Sequence, residues 1–351
     1  MAAGPTGARR VSLPLAVAAN IGLLVASMTF AVSWGAVQIP VADVWSTIAR
    51  RGFRLPVGLP SDDTFADIVW TLRAPRVVLA ALVGSGLAVA GVAAQALVRN
   101  PLADPYILGV SGGASAAAVA SIVFGLGAFG LTTTSSAAFV GAIGALLLVL
   151  LFGRRRGVIS PLRLVLAGVA IGQLLGGVTS FMVLQAQDEG KVFSILFWMA
   201  GNLGRSDWDY LWVPTIGVVV GVAVLLADGA RLNALLIGDE TAASLGVNTH
   251  RLRYRLLAVT ALLTALMVAL SGMIGFVGLV VPHVARLTVG SDHRRVVPVA
   301  ALGGATFLVL CDLASRAVLA PTDIPVGIVT GFIGAPFFLW LLHRTESLGA
   351  V

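Results

Sequence analysis

Apolar residues run through this chain in long blocks, each closed by a short cluster of glycine, proline or charge. A helix needs about 20 predominantly apolar residues to cross the hydrocarbon of a bilayer. Measured that way, the blocks predict about ten membrane-spanning helices, at 13 to 34, 75 to 98, 107 to 126, 137 to 153, 164 to 184, 211 to 227, 256 to 272, 276 to 290, 298 to 318 and 324 to 342. The division between the seventh and eighth is the least sharply drawn. Arg9 and Arg10 precede the first block as they would in a secretory leader. That block is long for a leader's apolar core, however, and it ends at Trp34 instead of a small-residue cleavage site, so it is read as a retained first helix.

Composition agrees with the pattern. Hydrophobic residues make up 58% of the 351 and charged residues 11%, against about 25% charged in an ordinary soluble domain. The expected fold is therefore all-α, a polytopic bundle forming one transmembrane domain over 1–351. A short tail (about 1–12) and one larger polar loop (about 228–255) stand outside it. Cys311 is the single cysteine, so no disulfide is expected, and four dispersed histidines form no zinc pattern. The net charge of +7 does not imply nucleic acid, because membrane proteins collect basic residues in loops for another reason. Sorted under ten spans, 15 of the 23 basic residues fall on one side, among them Arg9, Arg10, Arg99, Arg154 to Arg156, Arg163, Arg231, Arg251, Arg253, Arg255, Arg286, Arg294, Arg295 and Arg344. The positive-inside rule places that side, with both termini, in the cytoplasm.

Many of the 41 glycines lie inside the predicted spans, as at Gly84, Gly86 and Gly91 or Gly272, Gly275 and Gly278. Small residues let helices approach closely where lipid removes the hydrophobic drive between them. The same property lets packed helices shift, as a transporter requires.

Three segments are more specific. The first joins Leu72-Arg73-Ala74-Pro75-Arg76 to Gln95, to the turn Asn100-Pro101-Leu102-Ala103-Asp104-Pro105 and to Leu108-Gly109-Val110-Ser111-Gly112-Gly113. Pro75 suits a helix's first turn, where its missing N–H costs nothing. The second is Gly238-Asp239-Glu240-Thr241-Ala242-Ala243-Ser244-Leu245-Gly246. It predicts a short helix with Asp239 and Glu240 in a first turn that favours negative charge, and Gly246 in the left-handed position after its end. The third runs from Ser271 through Gly275, Gly278, Pro282 and His283 to Asp312, Arg316, Pro325 and Gly334-Ala335-Pro336.

At these residues, in order, the chain resembles the permease family of ATP-binding-cassette importers for iron-siderophores, haem and cobalamin, of the type II architecture. The resemblance covers Arg73 to Leu342. It implies a permease that pairs with a second copy or a homologous chain, binds two cytoplasmic ATPase subunits, and receives ligand from an extracytoplasmic binding protein at a bacterial cytoplasmic (inner) membrane. ATP would be used by the partner subunits, with no cofactor held covalently by this chain and no catalysis of its own. By the same resemblance Gly238, Asp239, Glu240, Ala242, Ala243, Leu245 and Gly246 match the element that couples to the ATPase. Ala242, Ala243 and Leu245 would supply apolar contacts there, while the acids would meet basic residues of the partner. Arg73, Arg76 and Arg316 match the arginines that receive acidic residues of the binding protein. The alternative for Arg73 and Arg76 is interfacial snorkelling, and for Arg316 an i, i+4 pair with Asp312. Gly91, Gln95, Asn100, Pro101, Gly109, Gly112, Gly275, Gly278 and Pro282 are the candidates for the translocation path and its packing.

His283 has no second ligand at metal-binding spacing and reads as a packed histidine. The one Gly-Lys pair, Gly190-Lys191, is followed by Val192, not the Ser or Thr of a phosphate-binding P-loop. His250, Arg251, Arg253 and Arg255 read as loop anchors. A rival reading, an ion-gradient-driven secondary transporter, needs ionisable groups in mid-membrane; Asp312 alone offers one.

Overall fold

The computed structural model describes residues 11–56, 62–126, 131–155, 158–186, 188–320 and 322–346. Arg9, Arg10, Arg156 and the first ten residues of the expected tail lie outside them. Helix α1 (Leu13–Ser33) is followed by two short helices, α2 (Val41–Thr47) and α3 (Asp63–Asp67). A wider π-turn segment, Ile68–Arg73, then leads into α4 (Ala74–Val98), with Pro75 in its first turn as expected. Next come α5 (Val110–Val123), α6 (Leu131–Gly153) and α7 (Pro161–Leu184), the last two joined by a small antiparallel ladder of Arg154 with Ile159 and Arg155 with Val158. The remainder is α8 (Glu189–Met199), α9 (Trp208–Ala227), α10 (Gly229–Ile237), α11 (Asp239–Ser244), α12 (Thr249–Ser271), α13 (Val277–Val289), α14 (His293–Ala317) and α15 (Val326–Glu346).

Among the described residues, seven helices are long and apolar enough to cross a membrane, and α5, α13 and α15 are shorter apolar helices. Together they match the ten predicted blocks. The unpredicted α8 has 11 residues, about 16 Å of helix, too short to span.

Helix α4 is the hub. In the span that contains it, 83% of the most apolar window is buried, against 22% in α1 and in α7, whose faces are left for lipid or another subunit. Glycine allows the hub its neighbours. A β-carbon on Gly84 would overlap the carbonyl of Gly304 in α14, and one on Gly91 the carbonyl of Gly278 in α13. With no solvent-driven force between helices in lipid, such backbone approaches are what hold the bundle together.

Between α12 and α13 the chain is not helical. Gly272 and Phe276 both take positive φ, 69° and 68°. At the edge of this break Ser271 O accepts from Asn202 N–H (2.7 Å) of the break after α8, and that break is joined in turn to the start of α15, Val326 N–H donating to Gly201 O (2.9 Å) and Gly327 N–H to Ala200 O (3.1 Å). The Tyr106 hydroxyl donates to Ile274 O (3.0 Å) and accepts from Ile274 N–H (3.1 Å). Irregular backbone survives at this depth only where protein satisfies it.

Candidate functional site

The 238–246 segment folds as its residues predict. Asp239 and Glu240 begin α11, and Gly246 closes it with φ 78°. Helix α10 turns Leu232, Ala234 and Leu235 inward and leaves Leu236 and Ile237 exposed. Leu245 is 65% exposed and Ala243 is exposed, so an apolar ridge stands at the basic end of the bundle. Two residues depart from the expectation. Ala242 is fully buried beneath the ridge, where a partner cannot touch it. Asp239 is already paired within the chain, though its side chain stays 42% exposed: Arg253 Nη2 donates to both its oxygens at 2.8 and 2.7 Å, and Arg99 lies at 3.5 Å. Arg253 and Arg255 are therefore not simple loop anchors. Arg255 bonds Asp228, which is 2% exposed, at 3.0 and 3.1 Å, and Arg231 pairs with the same carboxylate.

At the far end, Arg73, Arg76 and Arg316 all point inward. Arg73 donates to the carbonyls of Val32 (2.8 Å), Ser33 (3.2 Å) and Val37 (2.6 Å). Arg76 bonds Asp312 at 2.8 Å and Asp323 at 2.6 Å; Arg316 bonds Asp312 at 3.0 Å and Ala31 O at 2.9 Å. The i, i+4 pair of Asp312 with Arg316 is thus present, while Arg73 and Arg76 do not snorkel. The network staples the end of α1, the start of α4 and the end of α14. Asp312 is wholly buried between two guanidinium groups, whereas Asp323, which the motif reading did not single out, is 38% exposed. Buried charge is tolerable only when paired this way.

The path candidates separate into several places. Gly91, Gln95 and Gly278 meet where α4 crosses α13, and Pro282 is buried one turn further along α13. Gln95 Nε2 faces Gly278 O (3.3 Å), and its Oε1 accepts from Arg286 Nη2 (2.5 Å). Gly109 (φ 69°) and Gly112 pack on Gly168 and Gly172 of α7. Asn100 caps the exposed turn containing Pro101 by accepting from Leu102 N–H (2.9 Å), and Gly275 has no neighbour where a β-carbon would stand. His283 packs with its Nε2 buried and without a hydrogen-bond partner. A cavity of about 410 Å³ opens among α4, α5, α6, α8, α9 and α12, lined by Lys191, Phe197, Trp198, Arg205, Tyr210 and Ser271 among others.

The whole arrangement is matched elsewhere. The model of the FecCD transport family matches residues 23–344. The chain is 39% identical to the uncharacterised ABC transporter permease protein YvrB of Bacillus subtilis, covering 94% of each chain. It is 46% identical to the cobalamin import system permease protein BtuC of Halobacterium salinarum, over 83% of this chain and 77% of that one. It is 37% identical to the hemin transport system permease protein HmuU of Yersinia pestis, over 93% and 94%. A solved structure described as an inward-facing conformation of a candidate metal-chelate type ABC transporter superposes with TM-score 0.80 at 31% identity, covering 95% of this chain and all of that one. The chain belongs to the FecCD transport family and is a membrane-spanning permease subunit of an ATP-binding-cassette importer.

Proposed function

We propose that the chain forms the membrane path for a large metal chelate, haem or a cobalamin-like ligand, with the basic end in the cytoplasm and both termini there. In this reading the α10–α11 unit binds an ATPase subunit, one on each of two paired permeases in an inner membrane, and a binding protein delivers ligand to the far end. The observation that carries it is the exposed ridge of Leu236, Ile237, Ala243 and Leu245 on a loop unit held to the bundle by ion pairs. Cobalamin, haemin and metal chelates are what relatives of this chain carry by name. The gradient-driven alternative loses ground because its one candidate carrier, Asp312, is enclosed between Arg76 and Arg316. Proteoliposomes holding the permease with its ATPase and binding protein are expected to take up haemin or cobalamin only with ATP. Uptake driven by a proton or sodium gradient without ATP overturns the reading.

The arginine network is proposed as the place where acidic residues of the binding protein dock. Its exposed acid, Asp323, is the internal carboxylate that such a residue would displace from Arg76. Asp323→Asn should therefore tighten capture of the binding protein severalfold at low salt, and less at high salt where charge is screened. Capture unchanged at every salt concentration would limit the three arginines to stapling the helices.

A further inference from the structure

One polar contact ties the ridge-bearing unit directly to a helix that runs the depth of the bundle. Asn233, in α10, uses both halves of its amide. Its Nδ2 donates to Asp292 Oδ1 at 2.7 Å, and its Oδ1 accepts from His293 N–H at 3.0 Å and faces His293 Nδ1 at 2.9 Å. Asp292 is the N-cap of α14, accepting from Arg294 N–H at 3.0 Å, and His293 is 1% exposed. The hydrogen bond from Asn233 is the largest influence holding the Asp292 carboxyl below the usual carboxylate range, so this partner is an anion. Just before the contact, α10 begins at Gly229 against the side chain of Arg294. Helix α14 then continues for 25 residues, about 37 Å, past the close crossing of Gly304 with Gly84, to Asp312 and Arg316 in the far-end network.

We propose that Asn233 is a positioning residue for energy coupling: it fastens the α10–α11 unit to the first turn of α14, so that displacement of α11 by the ATPase reaches the far end as movement of α14. This rests on α11 being the ATPase contact. An amide suits the task because it donates and accepts at once, meeting a carboxylate on one side and an N–H on the other. A rigid element with a specific attachment at each end is a physical route for coupling between distant sites.

Asn233→Asp tests this, because it sets a carboxylate against Asp292; in the double variant N233D/D292N the like charges are gone, and an amide at 292 that keeps its oxygen on Arg294 N–H has its own N–H groups to donate to the carboxylate at 233. Spin labels at Leu319→Cys, beyond the end of α14, and Phe193→Cys, on α8, both stand at exposed positions, whereas native Cys311 is 1% exposed and shielded from the reagent. In the complex with its co-purified ATPase, a non-hydrolysable ATP analogue is expected to shift the distance between the labels in the wild-type sequence. The shift should vanish in N233D although the ATPase stays bound, and return in the double variant; Asn233→Ala should also lose it. A shift that persists in N233D, fails to return in the double variant, or is absent from the wild-type sequence overturns the proposal. Failure of all three variants to assemble overturns it too, in favour of a folding role. Full retention of the ATPase by Leu245→Asp would instead defeat the assignment of α11 while leaving the Asn233 contact to be judged by the labels.

Discussion

Gly91→Leu is expected to abolish uptake, and Gly278→Leu to come close to doing so. At Gly91 a β-carbon alone would overlap main-chain atoms of Gly278. Overpacking a core where side chains can yield costs about 1–3 kcal/mol, but here the obstacle is a backbone carbonyl, so α4 and α13 must separate. Separation also breaks the reach of Gln95 to Gly278 O. At Gly278 the added carbon meets Pro105 Cδ at 2.7 Å and Leu87 O at 3.0 Å, equally rigid neighbours but a shallower overlap. Gly91→Ala should consequently be more damaging than Gly278→Ala. Gly275→Ala is the control, since no atom lies within 4 Å of the new carbon. Uptake and ATPase co-purification are measured together. A stable, ATPase-bound but inactive complex would identify this crossing as a moving contact, and loss of assembly would leave it a packing contact. Near-normal uptake in both leucine variants would show that neither glycine sits at a tight crossing.

Leu245→Asp should leave the permease folded and remove the ATPase, lowering its co-purification and ATP-driven uptake at least tenfold. The side chain is 65% exposed, so the fold loses little apolar burial. A carboxylate in the contact would have to be desolvated without a partner, which costs several kcal/mol, and each 1.4 kcal/mol is a factor of ten in affinity. Glu240→Gln, which changes charge on the neighbouring exposed face of α11, should have a much smaller effect. Full ATPase recovery with Leu245→Asp would remove this ridge from the contact.

Local signals made much of this legible before the structure. Continuous apolar runs marked the ten long or apolar helices, Pro75 marked the start of α4, and Asp239, Glu240 and Gly246 framed α11. What stayed hidden depends on distance along the chain or on length. Arg76 meets Asp312 across 236 positions and Asp323 across 247, and no periodicity in one sequence reports such a pairing. The pairing of Asp239 was missed for a similar reason: its partner Arg253 sits in the next helix and read as part of a run of loop cations. Helix α8 fell below the length that a spanning ruler detects. Asn233 carried no motif at all, because an amide in a polar loop is ordinary until its two partners are seen.

The meeting of Asn202 with Ser271, Val326 with Gly201, and Gly327 with Ala200 is made by main-chain groups alone. A joint of that kind is closed by backbone, and it demands glycine where the strands of chain touch: a β-carbon on Gly201 would meet Met273 O at 2.6 Å, and one on Gly272 or Gly327 would overlap a carbonyl outright. The freedom to vary therefore lies outside these glycines, and a change at any one of them would have to prise two breaks apart.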